Sequence, residues 1–234
     1  DVDMHLILAS PGGDGETAVR LVRSAQSRCK ELTVIVPDQA KSAATLLALG
    51  AHHILMGPTS DLGPIDPQLM LGNGGLASAR DIIAAVDDAS QKVQQAPNTY
   101  PIHAALLSDV TALMVQQAKS ALDRTEDQLE EALRSNPDRT EIEIDSLKTA
   151  LTPPLISGSK SHSAVFGIKE AEDAGLSIEV PGSQSNQWEL TWRLWTKYFV
   201  LGSDARIYEA DRASHIGSWG QPPTPPPGVS DPFR

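Results

Sequence analysis

Short apolar runs alternate with helix-period stretches through the first quarter of the chain. Residues 3–9 (DMHLILA), 33–36 (TVIV) and 53–56 (HILM) read as strands, the second β-branched and the third, with its Ile-Leu-Met run, a central strand covered on both faces. Between the first two, Ala18, Leu21, Val22 and Ala25 recur at i, i+3, i+4 and i+7, one apolar face of a helix expected over residues 16–30. Between the second and third, residues 43–49 (AATLLAL) are apolar all round, which predicts a buried helix that Gly50 ends. The order β-α-β-α-β with short links predicts an α/β fold with a mainly parallel sheet and right-handed crossovers.

Beyond residue 56 the pattern is looser. Gly63, Pro64 and Pro67 in DLGPIDPQ (61–68) fix an extended turn-rich path, and residues 72–75 (GNGG) read as a joint or hairpin tip. Helices are expected over residues 77–95 and 103–135, parted by APNTYP. The second carries an apolar stripe (Leu106, Leu107, Val110, Leu113, Met114) that gives way to Glu126, Asp127, Glu130 and Glu131. Its start is expected on the core and its acidic end in solvent or against another subunit. Residues 169–174 read as a short helix that Gly175 ends, and residues 176–180 as the strand closing that unit. Trp188, Trp192, Trp195, Tyr198 and Phe199 then fall on one helical face, expected to dock on the chain's own core. The expected divisions are a main domain over residues 1–181, an aromatic-rich helical extension over 182–221, and a proline-rich extended tail over 222–234.

Two places carry candidate chemistry. Ser42 stands where the strand at 33–36, after a Pro37-Asp38 turn, passes into the buried helix. A hydroxyl there meets unpaired amides and the positive end of the helix dipole, as a nucleophile requires. Serine is also a good N-cap, and local pattern alone favours that plainer role. The second place is Pro11-Gly12-Gly13 at the end of the first strand, where two glycines permit a close approach of main-chain amides to a ligand. The amides of Gly13 and Ala43 together make a candidate two-donor oxyanion hole, with a plain turn as the alternative.

The words SPGGDGETAVRLVRSA, PDQAKSAATLLALGA, HHILMGPTSDLGPIDPQ and SGSKSHSAVFGIKEAEDAGLSIEV together resemble the Clp protease and crotonase superfamily. The likeness is greatest to its branch of serine dehydrogenase proteinases, related to signal peptide peptidases, and LGPIDPQ is its most specific word. The resemblance spans residues 3–181, weakest in the middle third. It implies a serine peptidase with Ser42 as nucleophile, Gly13 and Ala43 as oxyanion donors, unfolded or membrane-derived polypeptides as substrates, and assembly into a homo-oligomer. Alanines 43 and 44 stand where relatives often have glycine, and Asp66 lies near the place of the Clp histidine. A base therefore has to be sought elsewhere, because a serine hydroxyl is a weak nucleophile without one. By its spacing from the serine, Lys92 best matches the lysine of signal peptide peptidases; Lys119 fits less well, and Lys41 adjoins the serine but is expected to point away. His162, near the place of the Clp triad aspartate, is the second candidate and titrates near neutrality. Surface exposure for Lys92 and structural hydrogen bonding for His162 are the plainer readings. A chain that keeps the elbow but has lost the base, serving as a scaffold or peptide-binding module, is the rival reading.

Composition narrows the field. Thirty acidic against 19 basic residues give a formal charge of −11, unsuited to nucleic acid or to the phosphates of an acyl-CoA substrate. Cys29 is the single cysteine, so no internal disulfide forms, and it reads as a buried helical thiol. His52 and His53 lack partners at metal spacing, so neither metal nor organic cofactor is expected. No apolar run approaches the roughly 18 residues that cross a bilayer, and the expected compartment is the cytoplasm. A chain opening on Asp1 without methionine is expected to continue upstream, and a segment there is the expected route to any membrane association.

Overall fold

In the computed structural model, residues 2–72, 74–158, 161, 163–201, 205–210 and 213–218 are described. Two compact units divide the chain at residue 184.

The first unit is built on β1 (Met4–Ile7), α1 (Gly15–Gln26), β2 (Leu32–Val36), β3 (Gln39–Ala40), α2 (Ala43–Leu49), β4 (His53–Met56) and β5 (Asp61–Leu62). There follow the hairpin β6 (Gln68–Met70) and β7 (Leu76–Ser78), then α3 (Ala79–Gln95), α4 (Tyr100–Leu106), α5 (Ala112–Leu133), α6 (Glu141–Thr152), α7 (Ile168–Asp173) and β8 (Ile178–Glu179). A wholly parallel sheet runs in the order β1-β2-β4-β8. Every residue of β2 is buried, as the unbroken TVIV run requires of a strand covered on both faces. A smaller parallel ladder, β3 with β5, lies beyond the C-terminal ends of the main strands, extended by bridges from Ser10 to Ala40 and from Leu62 to Phe166. These repeated β-α-β units with their mainly parallel sheet are the Clp/crotonase-like architecture anticipated above.

The principal core gathers Val19 and Val22 of α1, the strands, all of α2, Leu129 and Leu133 of α5, and Ile144, Leu147 and Leu151 of α6. Of these helices α1, α5 and α6 each lay one stripe on it, and α2, apolar all round, is enclosed. Gly50 ends α2 where a side chain would collide with Val22 and the Ala132 carbonyl, so glycine there lets α1, α2 and α5 converge. A satellite core of Ala79, Ile82 and Ala118 joins α3 to the start of α5.

Several expectations are corrected. The helix expected over residues 103–135 is two, because residues 107–111 break it and Thr111 caps a fresh start at α5. At the acidic end of α5, Leu129, Ala132 and Leu133 are fully buried, Glu131 pairs with Arg23 of α1 and Glu130 with Lys148 of α6, while Glu126 and Asp127 are exposed as expected. α6 was not foreseen, although Thr140 and Glu143 form a capping box at its start. Cys29 lies past the end of α1, half-buried rather than enclosed, with burial still pushing its thiol up.

In the second unit, α8 (Asn186–Leu201) precedes an antiparallel hairpin of β9 (Ala205–Ala210) and β10 (Ala213–Ser218). Trp188, Trp192, Trp195 and Phe199 stack in succession along α8, with neighbouring ring centres 6.3, 4.9 and 5.2 Å apart. The proline-rich tail lies outside the described residues. Among the described residues no helix is long and apolar enough to cross a membrane.

Candidate active site

Open parallel sheets present their ligand sites beyond the carboxyl ends of the strands, and both candidate segments emerge there. The loop after β1 carries Gly12 and Gly13, and the β2–β3 segment leads into Ser42. The two are knitted together: Lys41 N–H donates to the Ser10 carbonyl at 3.0 Å, and Ser10 N–H to Gln39 at 2.9 Å. Gly12, at φ +117°, rests so closely on the elbow that a Cβ would stand 2.8 Å from both the Lys41 carbonyl oxygen and the Ser42 Cβ.

Ser42 is the only described non-glycine residue with positive φ, at φ 52° and ψ −120°. An N-cap normally sits in the extended region with its oxygen on a helix amide. Ser42 does neither, and its side chain makes no capping bond, so the cap reading is set aside. Non-glycine residues hold such dihedrals only where their surroundings over-determine them. Here Ser42 N–H donates to the Pro64 carbonyl at 3.2 Å and Ala44 N–H to Lys41 at 2.9 Å. Buried Thr45 fastens the first turn of α2, its one hydroxyl proton shared between the Ala40 and Gly63 carbonyls 2.7 and 2.8 Å away. The LGP of LGPIDPQ thus supplies the wall against which the elbow is bent.

Ser42 lines a cleft of about 420 Å³ with Gly13, Ala43, Asp66, Arg124 and Gln128 among its walls. Neither Gly13 N–H nor Ala43 N–H donates to any described residue, so two amides and a hydroxyl without a capping bond share one cavity. That combination suits addition to a carbonyl, whose oxygen gathers negative charge as the tetrahedral centre forms.

The cleft's far wall is α5, which sequence reasoning missed. Arg124 bonds Glu16 of α1 at 2.6 and 2.9 Å and Glu131 at 2.8 Å, fixing α5 across the loop that carries Gly13. Its guanidinium holds the Glu16 carboxyl down at about 2, with the Gln128 amide contributing. The one available signal was a lone arginine between Ala121 and Thr125 at the edge of an acidic run, which reads as a wet face. Asp66 is 1% exposed; its carboxylate accepts from Ser78 at 2.9 Å and from Gln68 at 3.3 Å.

The base candidates fare differently. Lys92 is on the exposed face of α3, paired with Asp88 one turn away at 2.7 Å, and does not line the cleft. The helical register that gives the right sequence spacing from Ser42 points it outward. Lys41 is buried against Gly63 and committed to Asp61 and the Ala164 carbonyl. His162 lies outside the described residues.

A mainly parallel α/β sheet with a strained serine elbow beyond the carboxyl ends of its strands defines the class: a ClpP-like fold. The chain belongs to the family of ClpP-like SDH-type serine proteinases, which it matches over residues 1–191. It is also similar to two proteins of Methanocaldococcus jannaschii. One, named uncharacterized protein MJ0137, is 27% identical over 76% of this chain and 54% of its own length. The other, uncharacterized protein MJ1495, is 25% identical over 76% of this chain and 52% of its own. The chain thus spans about half the length of these relatives. No solved structure matches it.

Proposed function

We propose that this chain hydrolyses peptide bonds by acyl transfer through Ser42. The observation that carries the reading is the positive-φ, uncapped Ser42 beside the two undonated amides of Gly13 and Ala43. Ser42 Oγ attacks the scissile carbonyl while a base takes its proton, and the amides receive the oxyanion. Collapse expels the amine with that proton and leaves an ester on Ser42, which water then cleaves. Extended segments of unfolded or membrane-derived polypeptide fit an open cleft of this kind, and a homo-oligomer is the expected setting.

For the base, His162 is preferred to Lys92. Lys92 is exposed, paired with Asp88 and outside the cleft. Labelling by a fluorophosphonate is the test. Wild type and Lys92→Ala are expected to label, Ser42→Ala not at all, and His162→Ala at least 100-fold more slowly, within the range general base catalysis supplies. One observation favours the rival, a silent peptide-binding scaffold: among the described residues no lysine or histidine lines the cleft. Absence of labelling in folded wild-type protein establishes that rival and ends the peptidase reading.

A further inference from the structure

Asp66 is unusual for a buried carboxylate. At 1% exposure its donors among the described residues are neutral, the Ser78 hydroxyl and the Gln68 amide, and no described lysine, arginine or histidine pairs with it. Buried carboxylates are ordinarily matched by a cation, since desolvation without one is costly. Elsewhere in this chain the rule is obeyed: Asp61, also largely buried, is paired with Lys41. Asp66 lines the same cleft as Ser42.

The other charges of the cleft sharpen the point. Arg124 is spent on Glu16 and Glu131, so it leaves Asp66 unneutralised, and Asp14 adds a second carboxylate to the lining. Gln68, by contrast, is exposed and holds Asp66 Oδ2 at a long 3.3 Å. An incoming ammonium or guanidinium replaces that neutral amide with a charge-assisted bond, which is shorter and roughly twice as strong.

We propose that Asp66 is a specificity residue that selects substrates with a lysine or arginine side chain beside the scissile bond. The proposal rests on Ser42 being the nucleophile. A neutral isostere would leave the carboxylate without its cation, so discrimination comes as much from rejecting apolar side chains as from welcoming basic ones.

The test uses two peptidyl diphenyl phosphonates that differ only in a lysine-like or a norleucine-like side chain, with a plain fluorophosphonate as the side-chain-independent reference. In wild type the cationic reagent is expected to inactivate at least 10-fold faster than the neutral one. In Asp66→Asn the two rates converge while reference labelling persists. Gln68→Lys, a change at an exposed position, is expected to erase the preference by placing a tethered ammonium on Asp66, and it serves where Asp66→Asn fails to fold. Equal rates in wild type overturn the proposal, as does a preference that survives in either variant. So does an Asp66→Asn protein that is folded but no longer labels with the reference reagent, because Asp66 then belongs to the reaction machinery. If the reference reagent fails on wild type, the nucleophile itself is refuted, an outcome distinct from failure of Asp66 alone.

Discussion

Gly12→Ala isolates the contact between the glycine loop and the serine elbow. At φ +117° a Cβ is strained whatever its surroundings, at about 1–3 kcal/mol. The added methyl also stands 2.8 Å from the Lys41 carbonyl oxygen and from Ser42 Cβ, neither of them the far end of a flexible side chain. Overpacking of that kind costs about 1–3 kcal/mol more. The total, about 2–6 kcal/mol, is a large part of the 5–15 kcal/mol by which domains are ordinarily stable, yet leaves a folded population in most of that range. The loop relieves the overlap by backing away from the elbow, and Gly13 N–H goes with it. Losing one oxyanion donor lowers the chemical rate about 100- to 1000-fold. Urea unfolding measures the first effect and fluorophosphonate labelling kinetics of the folded protein the second. A stability loss under 1 kcal/mol with unchanged labelling refutes the idea that Gly12 seats the loop against Ser42.

Two further perturbations probe what holds the cleft. Glu16 ionises near 2 when folded against an ordinary 4.5, because Arg124 and Gln128 bond its carboxylate. The unfolded chain binds the extra proton between those values, so this contribution is whole above pH 4.5 and is lost as pH falls toward 2. Urea midpoints at pH 7, 4 and 3 are expected to fall less steeply in Glu16→Gln than in wild type, and identical slopes refute the linkage. Thr45→Val strips the buried Gly63 carbonyl of its hydroxyl donor and costs about 1–3 kcal/mol, whereas Thr45→Ser stays within about 1 kcal/mol. Equal losses in the two, read by urea unfolding, place the effect in packing instead.

The β-α-β-α-β frame was legible because its signals are local. The buried runs at β2 and β4, the all-apolar α2 and the terminating glycines at 50 and 175 each declare themselves within a few residues. The serine elbow was legible as a position, but not as a conformation: the bend comes from Pro64, Ser10 and Gly12, whose proximity only the fold creates. The wall formed by α5 was illegible for the same reason. Arg124 and Glu16 are 108 residues apart, and an arginine in an acidic run looks the same on a wet face as in a cross-helix clamp. Sequence spacing misled most at Lys92, since a count of residues from Ser42 carries no information about which side of α3 faces the cleft.

The dihedrals of Ser42 allow a sharper question than whether the protein labels. A capping serine is used for stability, and its replacement by alanine costs about 0.5–2 kcal/mol, by glycine a few tenths. At φ 52° with no capping bond the order of the three residues changes. Alanine loses no hydrogen bond and suffers the same Cβ strain, so Ser42→Ala lies within about 0.5 kcal/mol of wild type, as for a substitution that removes no stabilising feature. Glycine escapes the strain of about 1–3 kcal/mol, but it concedes about 0.5–1 kcal/mol in chain entropy, so Ser42→Gly is neutral to about 2.5 kcal/mol more stable. Both variants lose fluorophosphonate labelling. Urea unfolding with the ranking glycine at or above serine, and serine level with alanine, marks a residue held against its own preference for the sake of the site. A ranking of serine above glycine above alanine would restore the helix cap as its role.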